Sequence, residues 1–151
     1  MGDNQHILLA VDFATETNQI ATQALYWSKL LNARLSIIHV LDNIPMPDTT
    51  YGTRISLEKD NDDALLSAEQ SKLLKIADFC QVEMADCWFI WGVPATEISY
   101  FAKQHQVSLI VLGSHAKHGL GLVFGSVANS VLHQAHCDVL AVRVKPSQIN
   151  P

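Results

Sequence analysis

No apolar run in this sequence of 151 residues approaches the roughly 18 needed for a helix to cross a bilayer, so no membrane partner is expected. Basic clusters are missing as well. With 10 Lys and Arg against 15 Asp and Glu, the formal net charge is −5, and nucleic acid would find no basic face to contact. Cysteine is scarce. Cys80, Cys87 and Cys137 are odd in number and share no C-x-x-C spacing, which argues for reduced, mostly buried thiols rather than a redox pair. The opening MGDNQH lacks the basic-then-apolar layout of a secretory leader, and His6 stands where a myristoylation signal wants Ser or Thr. These absences lead us to expect a cytoplasmic protein.

What is present suits one compact core. Hydrophobic residues make up 48% and charged residues 17%. We expect one domain over residues 1–146 and a short tail over 147–151. HILLAVDF (6–13) is a continuous apolar run closed by an aspartate, the pattern of a strand buried on both faces of a parallel sheet. Over 20–32, Ile20, Ala24 and Leu31 recur at helical spacing and predict an amphipathic helix. Further strands are expected over 33–42, 88–92, 108–114 and 138–144. Further helices are expected over 62–80, from Pro94 to about 106, and over 126–136; Pro94 suits a first turn and Glu97 the positive helix end. Residues 43–61, with Pro45, Pro47 and Gly52 and few apolar side chains, read as a loop approaching the next helix. Strand and helix alternate throughout, so the expected fold class is α/β: a three-layer open sandwich with a five-stranded parallel sheet and helices on both faces. Such sheets take ligands beyond the carboxyl ends of their strands.

Glycines 113, 119, 121 and 125 crowd one segment of a chain that has only seven glycines. A strand running into glycines, then into a helix beginning Gly125–Ser126, has the parts of an anion site: close backbone approach, outward amides and a hydroxyl. The same residues would also make a tight turn and a helix cap, and the segment holds neither G-x-x-x-x-G-K-[ST] nor a G-x-G-x-x-G opening. Asp12, closing the first strand, suits ribose hydroxyls, a base edge or a helix cap. His115 and His118, like His133 and His136, stand three apart without carboxylate support, and no metal site is expected. His39 lies in an apolar strand and reads as a core residue. With no G-x-S-x-G elbow and no triad, we name no catalytic residue and expect no efficient enzyme.

Four pieces taken together carry a resemblance: HILLAVDF, LSIIHV, GVPATEI, and LIVLGSHAKHGLGLVFGSVANSVLHQAHCDVLAVRV. The sequence resembles the single-domain universal stress proteins over nearly its whole length. The resemblance implies an adenine nucleotide alpha hydrolase-like fold with strand order 3-2-1-4-5. It also implies a homodimer joined through the last strand, here Asp138–Val144. Nucleotide-binding members carry G-x2-G-x9-G-[ST]; here Gly113, Gly125 and Ser126 match. Ala116 replaces the second glycine, and eight residues rather than nine separate it from Gly125. By similarity, Ala10, Val11 and Asp12 would line the adenosine side, with Val40 and Leu112 against the base. Gly113, His115, Gly125, Ser126, Val127 and Ala128 would surround the ribose and phosphates. The implied ligand is ATP or AMP, with Mg²⁺ beside the phosphates as a companion Asp12 could help to hold. Regulation of an unknown protein partner, a dimer with an empty turn-like loop, and slow ATP hydrolysis are the functions left open.

Overall fold

The apolar run at the start forms β1 (His6–Ala10), buried at every position. The computed structural model describes residues 5–13, 16–42, 51–59, 61, 63–114 and 125–144. Parallel to β1 run β2 (Arg34–Leu41), β4 (Cys87–Trp91), β5 (Leu109–Ser114) and β6 (Asp138–Arg143). The fold is α/β, and these five strands lie in the order expected, β4-β2-β1-β5-β6.

Alternation along each strand explains why the runs are apolar throughout. Ile7 and Leu9 face one layer with Ile37, Leu41 and Phe89, covered by α1 (Thr17–Leu30) and α2 (Ala64–Cys80). Leu8 and Ala10 face the other with Ile38, Val40 and Ile110, covered by α3 (Pro94–Gln104) and α4 (Ser126–Gln134). Helix α1 starts at Thr17, ahead of the expected Ile20. Helix α2 starts behind Asp63, whose carboxylate accepts from the amides of Leu65 (2.8 Å) and Leu66 (3.2 Å) and so satisfies two first-turn donors.

The sheet has six strands, not five. Within the stretch expected to be a loop, β3 (Thr53–Arg54) pairs antiparallel with β4 at its open edge. Three kinds of contact draw it in. The amides of Gly52 and Ile55 donate to the carbonyls of Trp91 (2.7 Å) and Phe89 (2.6 Å). Ile55 and Leu57, two apart on one side, are buried in the α1–α2 core. Arg54 lays its guanidinium 3.7 Å from the Trp88 ring centroid and donates to the Cys87 carbonyl at 2.9 Å. Buried Gln70 then donates to the carbonyls of Leu57 (2.9 Å) and Lys59 (3.2 Å), tying the segment to α2. Residues 43–50 and the tail 147–151 lie outside the described residues.

Cys80 and Cys87 are buried, and loss of solvation pushes both thiols up to about 11, well away from thiolate reactivity. Cys137 is half-buried and shifted in the same direction for the same reason. Among the described residues, no helix is long and apolar enough to cross a membrane.

Candidate functional site

Strand order reverses between β1 and β5: the chain leaves β1 toward β2 on one side and returns to β5 on the other. At such a point neighbouring crossovers diverge and leave a crevice above the strand ends. Here the crevice is a cavity of about 670 Å³, the size of a small-molecule site.

Nine of the eleven residues expected around a ligand line it. Ala10, Val11 and Asp12 come from the end of β1, Val40 from β2, and Leu112 and Gly113 from β5. Gly125, Ser126 and Val127 come from the start of α4. Ala128 is buried in the α3–α4 core, so any part it takes in the site goes through its main-chain N–H. His115 lies outside the described residues, as do Ala116, Gly119 and Gly121.

The amides of Ser126, Val127 and Ala128 open α4 and have no carbonyl one turn earlier in the helix to accept from them. Gly125 occupies the cap position without a side chain to take their place, at φ −55 and ψ 151. Its first turn carries no acidic residue. That end of the cavity therefore presents partial positive charge. From β1, β2 and α2 the same cavity receives the carboxylates of Asp12, Asp42 and Glu69, and no Lys or Arg is among the described residues that line it. The cavity is thus polarised: donors on the α4 side, acceptors on the side of β1, β2 and α2. Val40, Leu112 and Ile98 supply an apolar floor between them.

Seven further residues line the cavity beyond those expected, and two of them, His39 and Glu69, meet each other. His39, expected in the core, is buried yet also borders the cavity. Its Nδ1–H donates to the Val11 carbonyl at 2.7 Å, and its ring lies between Phe13 (centroids 4.3 Å) and Phe89 (5.9 Å). Glu69 lines the cavity from α2, with Oε2 3.3 Å from His39 Nε2. A signal for Glu69 was available: it sits three residues after Leu66 and four before Leu73, a charge on the buried stripe of α2. Desolvation pulls the His39 imidazole below its ordinary pKa, opposed by the Val11 carbonyl and by the charges of Glu69 and Asp12.

Comparison with known proteins identifies the family and the fold. The model of the universal stress protein family matches residues 3–143. Universal stress protein A homolog 1 of Coxiella burnetii is 32% identical over 143 residues, covering 93% of this chain and 97% of its own. Among solved structures, a universal stress protein in complex with cAMP superimposes with a TM-score of 0.67 at 19% identity, covering 91% of this chain and 96% of its own. The universal stress protein from Archaeoglobus fulgidus in complex with dAMP gives 0.58 at 20% identity, with the same coverages of 91% and 96%. At those identities the structures establish the shared fold.

Proposed function

The chain belongs to the universal stress protein family, and from that premise we propose that it is a cytoplasmic, non-catalytic stress-response protein that binds ATP or AMP. The observation that carries this reading is the cavity at the strand-order reversal, lined both by the start of α4, where Gly125 supplies no side-chain cap, and by the carboxylates of Asp12, Asp42 and Glu69. Phosphate suits the amides, because it accepts several hydrogen bonds and complements the helix dipole. Ribose hydroxyls and an exocyclic amine suit the carboxylates, which only accept. Two family structures in complex with cAMP and with dAMP support an adenine nucleotide as the ligand class. With no Lys or Arg among the described lining residues, a polyphosphate would bring its own counter-charge, and Mg²⁺ bound to phosphate oxygens near Asp12 would supply it.

Calorimetry with ATP and AMP, with and without Mg²⁺, tests the proposal, using Gly125→Ala as the probe. At φ −55 and ψ 151 an alanine meets no backbone strain, and a thermal melt of the variant separates any loss of helix capping from loss of binding. We expect it to weaken binding at least about tenfold, or about 1.4 kcal/mol. Unchanged binding in the variant would remove the phosphate cradle, and no heat from the parent protein at millimolar nucleotide would remove the nucleotide.

We further propose a homodimer through β6, bringing a nucleotide-dependent surface to a partner protein. Strand β6 ends the sheet and pairs only with β5, so its outer backbone edge has no strand neighbour among the described residues. Light scattering on the parent protein and on Ala141→Pro, which removes a backbone donor in mid-strand, should give a dimer and a monomer respectively. A monomeric parent protein would end this part of the proposal.

A further inference from the structure

His39 is fastened in a way that its burial alone does not require. A carbonyl oxygen cannot donate, so the 2.7 Å contact with Val11 assigns the Nδ1 hydrogen to the ring. Val11 is thereby held at both ends of its peptide, since its amide donates to the Ile38 carbonyl at 3.0 Å. Immediately beyond it stand Asp12, which lines the cavity, and Phe13, at φ 58. That left-handed conformation is costly for a bulky residue and persists only when its surroundings impose it. The His39 ring, packed under Phe13, is one of those surroundings.

The other ring nitrogen is left with a question. Nε2 and Glu69 Oε2 are 3.3 Å apart, both shut off from water, and neither makes a well-aligned hydrogen bond. With Nδ1 donating to Val11, a neutral ring offers only a lone pair at Nε2, which would face the oxygen of a carboxylate. One proton between them turns two opposed acceptors into a charge-assisted pair. We propose that His39 is a positioning residue for this cavity, holding the Val11–Phe13 ridge in place, and that a proton shared with Glu69 couples its hold to occupancy by an anionic ligand.

The charges around the ring set the sign. Glu69 faces it from α2, Asp12 from the turn after β1, and Asp42 borders the same cavity from the end of β2. Lys72 reaches the other oxygen of Glu69, Oε1, at 3.8 Å. Desolvation draws the ring toward neutrality against these carboxylates. An anion arriving in the cavity adds to the negative potential already around the ring and favours its protonated form, so binding takes up a proton and tightens as pH falls. An uncharged nucleoside lacks that term.

This inference rests on the nucleotide reading for its ligand, and two experiments separate them. Imidazole nitrogen NMR on the free protein and on Glu69→Gln needs no ligand. We expect Nδ1 protonated throughout, and Nε2 titrating at lower pH in Glu69→Gln because the stabilising charge is gone. Hydrogen on Nε2 alone, or identical titrations, would overturn the shared proton. Calorimetry with AMP and with adenosine, between about pH 6 and pH 8 in buffers of different ionisation heat, reads the coupling in the histidine range. AMP affinity should gain several-fold more on acidification in the parent protein than in Glu69→Gln; the phosphate's own titration is common to both and cancels. Adenosine should show no such difference. Equal pH effects in the two proteins would overturn the coupling. Absence of AMP binding in the parent protein would instead count against the nucleotide reading, with the NMR result still deciding the pair.

Discussion

Two buried histidines stand at opposite ends of the same sheet, and their partners differ in kind. His6, at the amino end of β1, has both nitrogens occupied: Nδ1–H donates to the His105 carbonyl at 3.2 Å, and Nε2 accepts from the Ser36 hydroxyl at 2.7 Å. His39, at the carboxyl end of β2, has one nitrogen occupied and the other turned to a carboxylate on a cavity wall. Burial lowers the pKa of both rings. At His6 every hydrogen bond is compatible with a neutral ring, and at His39 one contact is not. The comparison separates a histidine that closes a structure from one that stays responsive, and the distinction lies in the second partner rather than in depth.

His6→Ala should produce the largest effect on this contrast. It leaves the buried Ser36 hydroxyl without its acceptor and the part-buried His105 carbonyl without its donor, which should cost about 1–3 kcal/mol. Denaturant titration reads the loss, and nucleotide affinity should not change, since His6 lies at the amino end of β1 and is not among the described residues that line the cavity. A variant of parent-like stability, or one with weakened nucleotide binding, would break the contrast.

Acidification should act more gently and in a defined window. His6, His39 and His105 all have folded-state pKa values below the ordinary 6.5, chiefly through desolvation. Below 6.5 the unfolded chain binds more protons than the folded one, so stability rises with pH there. The stabilisation is complete above 6.5 and is lost as pH falls through the folded-state values. Thermal melts across this window should show the decline, with a shallower slope in His6→Gln. A slope that His6→Gln leaves untouched would assign the acid sensitivity elsewhere.

Much of the fold was legible because one physical requirement marks it repeatedly. A strand covered on both faces must be apolar at successive positions, and 6–13, 33–42 and 108–114 all are. Pro94 marked the start of α3 because its missing N–H costs nothing in a first turn. The cavity residues from β1, β2 and β5 were legible for a related reason: parallel strands end together at one edge. Strand β3 was not. Two residues, Thr53 and Arg54, pair with β4 because Ile55 and Leu57 find the core and Arg54 finds Trp88. No local periodicity announces a strand that short. The glycine segment raised the first functional question, and of it the structure describes Gly113, Ser114 and Gly125.

Taken alone, the sequence determined the alternation of strands and helices, the two-sided core and the edge at which a ligand would enter. These follow from side-chain patterns within single elements. Only the tertiary structure decided that the sheet gains an antiparallel edge strand and that His39 meets both Val11 and Glu69. Those outcomes depend on side chains from separate elements meeting across the sheet, and the hydropathy of one element carries no record of what packs against it.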